Sequence, residues 1–192
     1  MKTIFGFGIA VALCASGCAR HVTLKAPDSS AAPEVRMKAY EELAPDSLRV
    51  ATYISKYGSS TSVDSLRLND GRRVYHAEDL VPVIDPRSKA AADIVEMEEE
   101  ASKARYTFWG GMAAVVAGSV LMIADLAGSE KRGVPFYAGA GLGIGGVIAI
   151  PISSMFGRQA NEARGNAFLH YDEGLRQRLD LCRDDEEVTP CH

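Results

Sequence analysis

The sequence lacks an excess of positive charge. It has 21 lysine and arginine residues against 25 aspartate and glutamate residues, which gives a net charge of −4. Proteins that bind nucleic acids usually carry a clustered basic surface, so this composition argues against a nucleic-acid partner. At 192 residues the chain has room for one ordinary domain or two small ones.

The chain also lacks the residue spacings of common catalytic and metal sites. Its four histidines, His21, His76, His170 and His192, stand in no H-E-x-x-H or related frame, and no serine lies in G-x-S-x-G. Residues 75–79 carry polar acid and base side chains, but they follow a predicted strand and are interpreted as a polar surface. We therefore expect no enzymatic activity, no catalytic residue and no metal site.

Apolar residues are concentrated in two places, and the first is the N-terminus. Lys2 precedes an apolar run over residues 4–13, and small residues lead from that run to a cysteine. This order is typical of a secretory signal peptide, and the run is too short to span a membrane. Residues 1–17 are therefore predicted to be a signal peptide.

The end of this segment, Ala15-Ser16-Gly17-Cys18, resembles the lipobox of bacterial lipoproteins. In that family a peptidase cleaves just before the cysteine, whose thiol carries a diacylglycerol and whose amine is acylated. The resemblance implies that Cys18 carries a covalent lipid, with membrane lipid as its partner. We expect no other cofactor. Ala15 stands where leucine is more usual, and the alternative is an ordinary signal peptide cut at another small residue.

Two cysteines remain once Cys14 is removed with the signal peptide and Cys18 is lipidated. An even pair in an exported chain predicts a disulfide between Cys182 and Cys191. Closing a loop of about ten residues would stabilise the fold by roughly 2.5–3 kcal/mol. A metal site formed by this pair and His192 is the alternative, but the C-x-x-C spacing is missing.

The mature chain begins with a region rich in alanine, serine and proline, residues 18–33, which predicts a flexible tether. Residues 34–86 are predicted to form a small β-rich periplasmic module. Asn69-Asp70-Gly71 between two strand-like runs predicts a β-hairpin, and residues 79–84 read as another extended run. Because so short a module buries only a thin core, we expect it to need the following helix or a partner to stay folded.

The second apolar concentration predicts a long antiparallel helical hairpin. Two apolar arms are joined by a polar turn, and each arm has about the twenty residues that a helix needs to cross a membrane. The fold class is therefore mainly α with a small β-rich N-terminal module and a two-helix transmembrane hairpin. The alternative is a hairpin buried in a soluble bundle. The segments are a charged helix at 87–106, the apolar arms at 107–127 and 134–156, an amphipathic helix at 157–181 and an acidic tail with the cysteine pair at 182–192.

Small residues recur in both arms and predict close helix packing, because they let helix backbones approach. The predicted packing residues are Gly110, Ala114, Gly118, Gly139, Gly141, Gly143 and Gly145. Residues 141–146 also satisfy G-x-G-x-x-G, but the apolar run continues straight through them. No strand precedes them, so a nucleotide site is not expected.

These features predict a lipid-anchored protein of the bacterial cell envelope that faces the periplasm. Its role would be structural or interactive, with a hairpin that inserts in a membrane or binds a second copy or another envelope protein. The alternative is a periplasmic accessory of a secretion or transport complex, with the hairpin as scaffold. The resemblance to lipoproteins implies that Ala19, directly after the cysteine, carries no inner-membrane retention signal, which favours the outer membrane for the lipid. Lys131 and Arg132 in the turn favour the inner membrane for the hairpin.

Overall fold

The computed structural model describes residues 20–55, 58–128, 133–184 and 187–191, with only the backbone described for 53–55 and 58–61. The predicted signal peptide, Cys18 and the turn residues 129–132 lie outside this part of the chain. Two long helices pack antiparallel, and the strands form two small sheets. The predicted fold class of a mainly helical chain with a small β-rich N-terminal module is confirmed.

Most of the elements belong to a folded domain, and two of them extend beyond it. In chain order the elements are α1 (Pro33–Leu43), β1 (Pro45–Ser55), β2 (Gly58–Leu68), β3 (Arg73–Val74), a 3-10 helix (Ala77–Leu80), α2 (Lys89–Gly128), α3 (Val134–Leu169), α4 (Tyr171–Leu179), β4 (Leu181–Asp184) and β5 (Glu187–Pro190). The sheet of β1, β2 and β3 is antiparallel in that order, and β4 pairs with β5 in a separate hairpin.

The predicted hairpin turn at Asn69-Asp70-Gly71 joins β2 to β3. Gly71 has a φ of +86°, a conformation that glycine adopts without strain, and its N–H donates to the Leu68 carbonyl at 2.9 Å. The pairing of β1 with β2 in the preceding hairpin was not predicted. The first half of β2 is rich in serine and threonine and lacks the apolar alternation that marks a strand.

The extended run predicted at residues 79–84 is wrong. The chain instead forms the 3-10 helix followed by turns, in which Leu80, Val83 and Ile84 are all fully or almost fully buried. Their spacing of three and four residues suits a helical turn, which places all three on one side. The strand prediction rested on the β propensity of valine and isoleucine, and tertiary packing overrides such propensities.

The hydrophobic core joins the N-terminal module to the far end of the chain. Its side chains come from the sheet, from the start of α2, from the end of α3 and from α4. The module at 34–86 is therefore not closed by itself, in line with the expectation of a thin core. The largest fully buried side chains of this core are those of Leu66, Leu68, Val74, Leu80, Val83, Ile84, Phe168, Tyr171, Leu175 and Leu179.

The flexible tether predicted for residues 18–33 needs correction where the structure describes it. Leu24 is 4% exposed and lies in the core, and the Val22 N–H donates to the Asp79 carboxylate at 2.8 Å. Pro33 already begins α1. The alanine, serine and proline content suggested a chain with little to bury, whereas two apolar side chains are enough to dock the segment onto the domain.

The predicted amphipathic helix at 157–181 is two helices. The chain breaks at His170, whose φ of −88° and ψ of 0° leave the helical region, and whose ring lies 2.7 Å from the Asp93 carboxylate. Phe168 and Tyr171, on either side of the break, are both buried. The break lets α4 pack against α1 and the start of α2, whereas α3, which precedes the break, lies alongside α2.

Candidate functional site

The apolar halves of α2 and α3 are exposed along most of their length. Both helices are long and apolar enough to cross a membrane, and only 11% of the most apolar stretch of each is buried. Large side chains point outward on both: Val116 is 59% exposed and Ile144 is 64% exposed. So large an apolar surface needs lipid or another protein to cover it. A hairpin buried within one soluble chain does not fit this exposure.

The two helices contact each other through four glycines, which we call the packing face: Gly111, Gly118, Gly139 and Gly146. A Cβ atom on Gly111 would lie 2.7 Å from the Ala149 Cβ and 2.9 Å from the Gly146 carbonyl oxygen. A Cβ atom on Gly139 would lie 2.5 Å from the Gly118 carbonyl oxygen. No side chain fits in this space, so the two backbones touch directly.

The predicted packing residues divide into two groups. Gly118 and Gly139 lie on the packing face, the Gly143 backbone touches Gly118, and Ala114 is half-buried. Added Cβ atoms would meet nothing within 4 Å at Gly110, Gly141, Gly143 and Gly145, so the space for a side chain is open at these four positions.

Sequence reasoning missed Gly111 and Gly146 because it looked for small residues four positions apart. On each helix the packing glycines are instead seven residues apart, at Gly111 and Gly118 and at Gly139 and Gly146. When the axes of two packed helices are nearly aligned, as in this antiparallel pair, residues seven positions apart return to the same side of the contact. The reason is that seven residues then make two turns of 3.5 residues each. A search at that spacing would have found all four.

Exposed aromatic residues mark both ends of the apolar hairpin. Tyr106 is 76% exposed and Trp109 is 66% exposed where the first arm begins. Tyr137 is 66% exposed near the start of the second arm, at the opposite end. Tyrosine and tryptophan concentrate at the two interfaces of a membrane because their rings are partly polar and partly apolar. The sequence analysis did not use this signal.

The turn end of the hairpin carries one carboxylate in the last turns of α2. The Gly133 N–H donates to Asp125 at 2.8 Å, just before α3 begins. A carboxylate beside the first residues of a helix satisfies a free N–H group and interacts favourably with the positive end of the helix dipole. Asp125 therefore fastens the start of α3 to the end of α2.

The predicted disulfide between Cys182 and Cys191 is confirmed. The two Cα atoms are 5.0 Å apart, and the bond closes the β4–β5 hairpin. The Cys191 N–H donates to the Asp180 carbonyl at 3.2 Å, and Val188 packs against the core. The segment predicted as an acidic tail is thus a cross-linked hairpin against the domain.

A second group of polar side chains gathers where the N-terminal segment meets the 3-10 helix. His21 Nδ1 lies 2.8 Å from Asp79 Oδ1, and the His21 ring stacks on His76 with 4.0 Å between centroids. His76 Nδ1 lies 3.7 Å from Glu78 Oε1. The hydrogen bond to Asp79 raises the pKa of His21 above its usual value. We call these four residues the histidine cluster. Its histidines are far apart in sequence, so no motif could reveal it.

The histidine cluster adjoins a cavity of about 230 Å³ between the domain and the long helices. His76 and Glu78 line one side, and Ala101 of α2 lies among the residues of the other side. Arg164 also lines the cavity, and its buried Nε has no hydrogen-bond partner among the described residues. The cluster therefore lies at the level of Ala101, shortly before the apolar arm of α2 begins.

Comparison with protein-family models, with curated proteins and with solved structures finds no match to this chain.

Proposed function

We propose that this protein is a lipid-anchored bacterial envelope protein whose hairpin enters the same membrane as its lipid. The hairpin holds a small folded domain at the periplasmic face, where the domain serves a structural or interaction role. The observation that carries the proposal is the contrast between a sealed core in the domain and the exposed apolar arms of α2 and α3.

The outward side chains of the two apolar arms would carry a large free-energy cost in water. Leaving one large apolar side chain in water, rather than burying it, costs about 1.5–3 kcal/mol. Side chains such as Val116, Ile123, Ile144 and Val147 are each more than half exposed. Lipid covers all of them at once, and the residues 107–127 span roughly 30 Å as a helix, close to the thickness of the hydrocarbon core.

The packing face supports the same conclusion. Glycine in a solvated helix costs about 1 kcal/mol relative to alanine. In a membrane, helices gain no hydrophobic free energy from associating, so close van der Waals contact between small residues becomes a main attraction. The direct backbone contact at Gly118 and Gly139 is of this kind.

The short distance between Cys18 and the folded domain supports the proposal that the lipid and the hairpin enter the same membrane. His21 lies three positions after Cys18, and an extended chain covers at most about 11 Å over that length. His21 is held beside the cavity that Ala101 lines. Six residues of helix, about 9 Å, separate Ala101 from the start of the apolar arm at residue 107. A lipid on Cys18 can therefore reach the membrane that the hairpin enters.

Trp109, the single tryptophan, tests the membrane position directly. In vesicles that contain brominated lipids, we expect strong quenching of its fluorescence by bromine placed near the interface. A matched control moves the tryptophan to the charged half of α2 by combining Trp109→Phe with Val95→Trp, since Val95 is 65% exposed. The control should not be quenched. Equal fluorescence of Trp109 with and without bromine would contradict the proposal.

Lipidation is tested separately by metabolic labelling with palmitate. Cys18→Ala should abolish the label and leave an unprocessed precursor, whereas Cys14→Ala should be labelled and processed normally. Incorporation of palmitate into the Cys18→Ala variant would remove the lipid anchor from the account and leave the hairpin to be judged on the quenching result.

A further inference from the structure

We propose that the histidine cluster is a binding site for a divalent transition metal of the Zn²⁺ class, with His21, His76 and Glu78 as ligands. One potential ligand atom from each of these residues lies within 4.8 Å of the others. The cluster joins two separate parts of the chain, the N-terminal segment and the 3-10 helix. In the described ranges it is the one place where three such side chains gather.

The donor types fit a zinc site. Two imidazole nitrogens and one carboxylate oxygen are a common zinc set in proteins, and they leave a fourth position for water or another ligand. Imidazole also suits Cu²⁺ and Ni²⁺, while Ca²⁺ and Mg²⁺ favour sites made only of oxygen atoms. The set therefore selects for the transition metals over the alkaline earths.

Asp79 supplies the outer support that such sites usually have. A histidine that binds a metal through one ring nitrogen commonly donates a hydrogen bond from the other nitrogen to a carboxylate. Asp79 Oδ1 lies 2.8 Å from His21 Nδ1, which leaves Nε2 of that ring as the ligand atom. Asp79 Oδ2 accepts the Val22 N–H at 2.8 Å, so one carboxylate fixes both the ring and its backbone.

Small side-chain rotations would complete the coordination. Ligand atoms around tetrahedral zinc are about 3.3 Å apart, given bond lengths of about 2.0–2.1 Å. The atoms of the cluster must close in from separations of up to 4.8 Å, and the two rings must tilt out of their stack. The His21 side chain is 64% exposed and that of Glu78 is 40% exposed, so both have room to rotate.

The metal would fasten the N-terminal segment to the domain. Its ligands lie on the two parts that Asp79 and the buried Leu24 already bring together. This inference is independent of the membrane proposal, because it rests only on side chains of the folded domain.

The test is Zn²⁺ binding by the full-length protein in detergent, measured by competition with a chromophoric chelator. No protein in the comparison carries a histidine tag. The reference is the chain with His192→Ala, and every variant is made in that reference, so the His192 imidazole cannot contribute. We expect one Zn²⁺ per chain and at least a 10-fold weaker affinity in His21→Ala, in His76→Ala and in Glu78→Gln. Asp79→Asn should weaken binding by about 10- to 100-fold, the range seen for outer partners of metal ligands.

His170→Ala is the matched control. That histidine also pairs with a carboxylate, Asp93, at 2.7 Å, but it is not part of the histidine cluster. The Zn²⁺ affinity of the His170→Ala variant should stay within about 2-fold of that of the reference. If His21→Ala and Glu78→Gln bind as tightly as the reference, or if His170→Ala loses as much as they do, the site is refuted. His21→Ala and Glu78→Gln alter exposed side chains. Circular dichroism is used to check that each variant is folded.

Discussion

Gly118 and Gly139 meet across the two long helices, so closely that a Cβ atom on Gly139 would lie 2.5 Å from the Gly118 carbonyl oxygen. Gly111 and Gly146 repeat this contact two turns further along. Direct contact between the two backbones therefore sets the distance between α2 and α3. A single methyl group has no room on this face. At Gly110, Gly141 and Gly145 on the same helices, an added Cβ atom would instead meet nothing within 4 Å.

This difference predicts opposite outcomes for two alanine substitutions in α3. Gly139→Ala should lower the free energy of unfolding in detergent by about 1–3 kcal/mol, because an added methyl group overpacks the contact. Gly141→Ala should not lower it and should raise it by up to about 1 kcal/mol, since alanine favours the helix and its Cβ would meet nothing within 4 Å. Thermal or denaturant unfolding followed by circular dichroism measures both. Equal stability of the two variants would show that the packing face does not hold the helices together.

A pair of lysine substitutions distinguishes whether lipid or water surrounds the apolar arm of α2. Val116 is 59% exposed in the apolar arm and Val95 is 65% exposed in the charged half, so either lysine would be harmless in water. At the centre of a membrane helix a lysine costs about 2.5–3.5 kcal/mol. Val116→Lys should therefore reduce the amount of protein integrated in the membrane fraction, while Val95→Lys leaves it unchanged. Equal amounts for the two variants would argue for a hairpin that is not surrounded by lipid.

The disulfide should stabilise the C-terminal hairpin locally. Cys182→Ala combined with Cys191→Ala removes the cross-link between β4 and β5, and the chain-entropy model predicts a loss of about 2.5 kcal/mol for a loop of this length. The expected signature is faster hydrogen exchange at Val188 and Thr189, with little change in the long helices. Thiol-reactive reagents should label the unmodified exported protein only after reduction. Labelling before reduction would contradict the cross-link.

Tyr40 gives the domain a pH-dependent contribution in the alkaline range. Its hydroxyl donates to Asp172 at 2.7 Å, and burial together with this bond raises its pKa to about 12. The stabilisation is complete below the unfolded pKa near 10 and is lost as the pH rises towards 12, since the folded state holds the proton more tightly. Tyr40→Phe should cost about 1–2 kcal/mol at neutral pH. The difference from the unmodified protein should shrink at about pH 11, and a constant difference would refute the assignment.

The sequence predicts the long helices well because their signal is strong and local. Residues 107–127 and 134–156 are almost free of charge over lengths that only a helix uses, and both lie inside single helices, α2 and α3. The cysteine pair in an exported chain similarly left few alternatives for the disulfide. In each case the physical constraint acts on neighbouring residues and needs no knowledge of the tertiary fold.

The remaining features depend on contacts between distant segments. Leu24 becomes a core residue only because its segment docks onto the domain, whereas composition alone suggested a tether. The histidine cluster needs His21 to lie against His76, which the docking of the N-terminal segment brings about. The seven-residue spacing of the packing face follows from how two long helices align, which a four-residue pattern in one helix does not reveal.

The most direct test of the membrane hairpin is alkaline carbonate extraction of a chain without its lipid. In this variant a cleavable signal peptide of non-lipoprotein type replaces residues 1–17 and Cys18 is alanine, so neither a lipid nor a retained signal peptide can hold the protein. If α2 and α3 cross the bilayer, the mature protein stays in the membrane pellet after carbonate treatment. Release of the folded protein into the supernatant would mean that the apolar arms are covered by protein instead, and the account would be wrong.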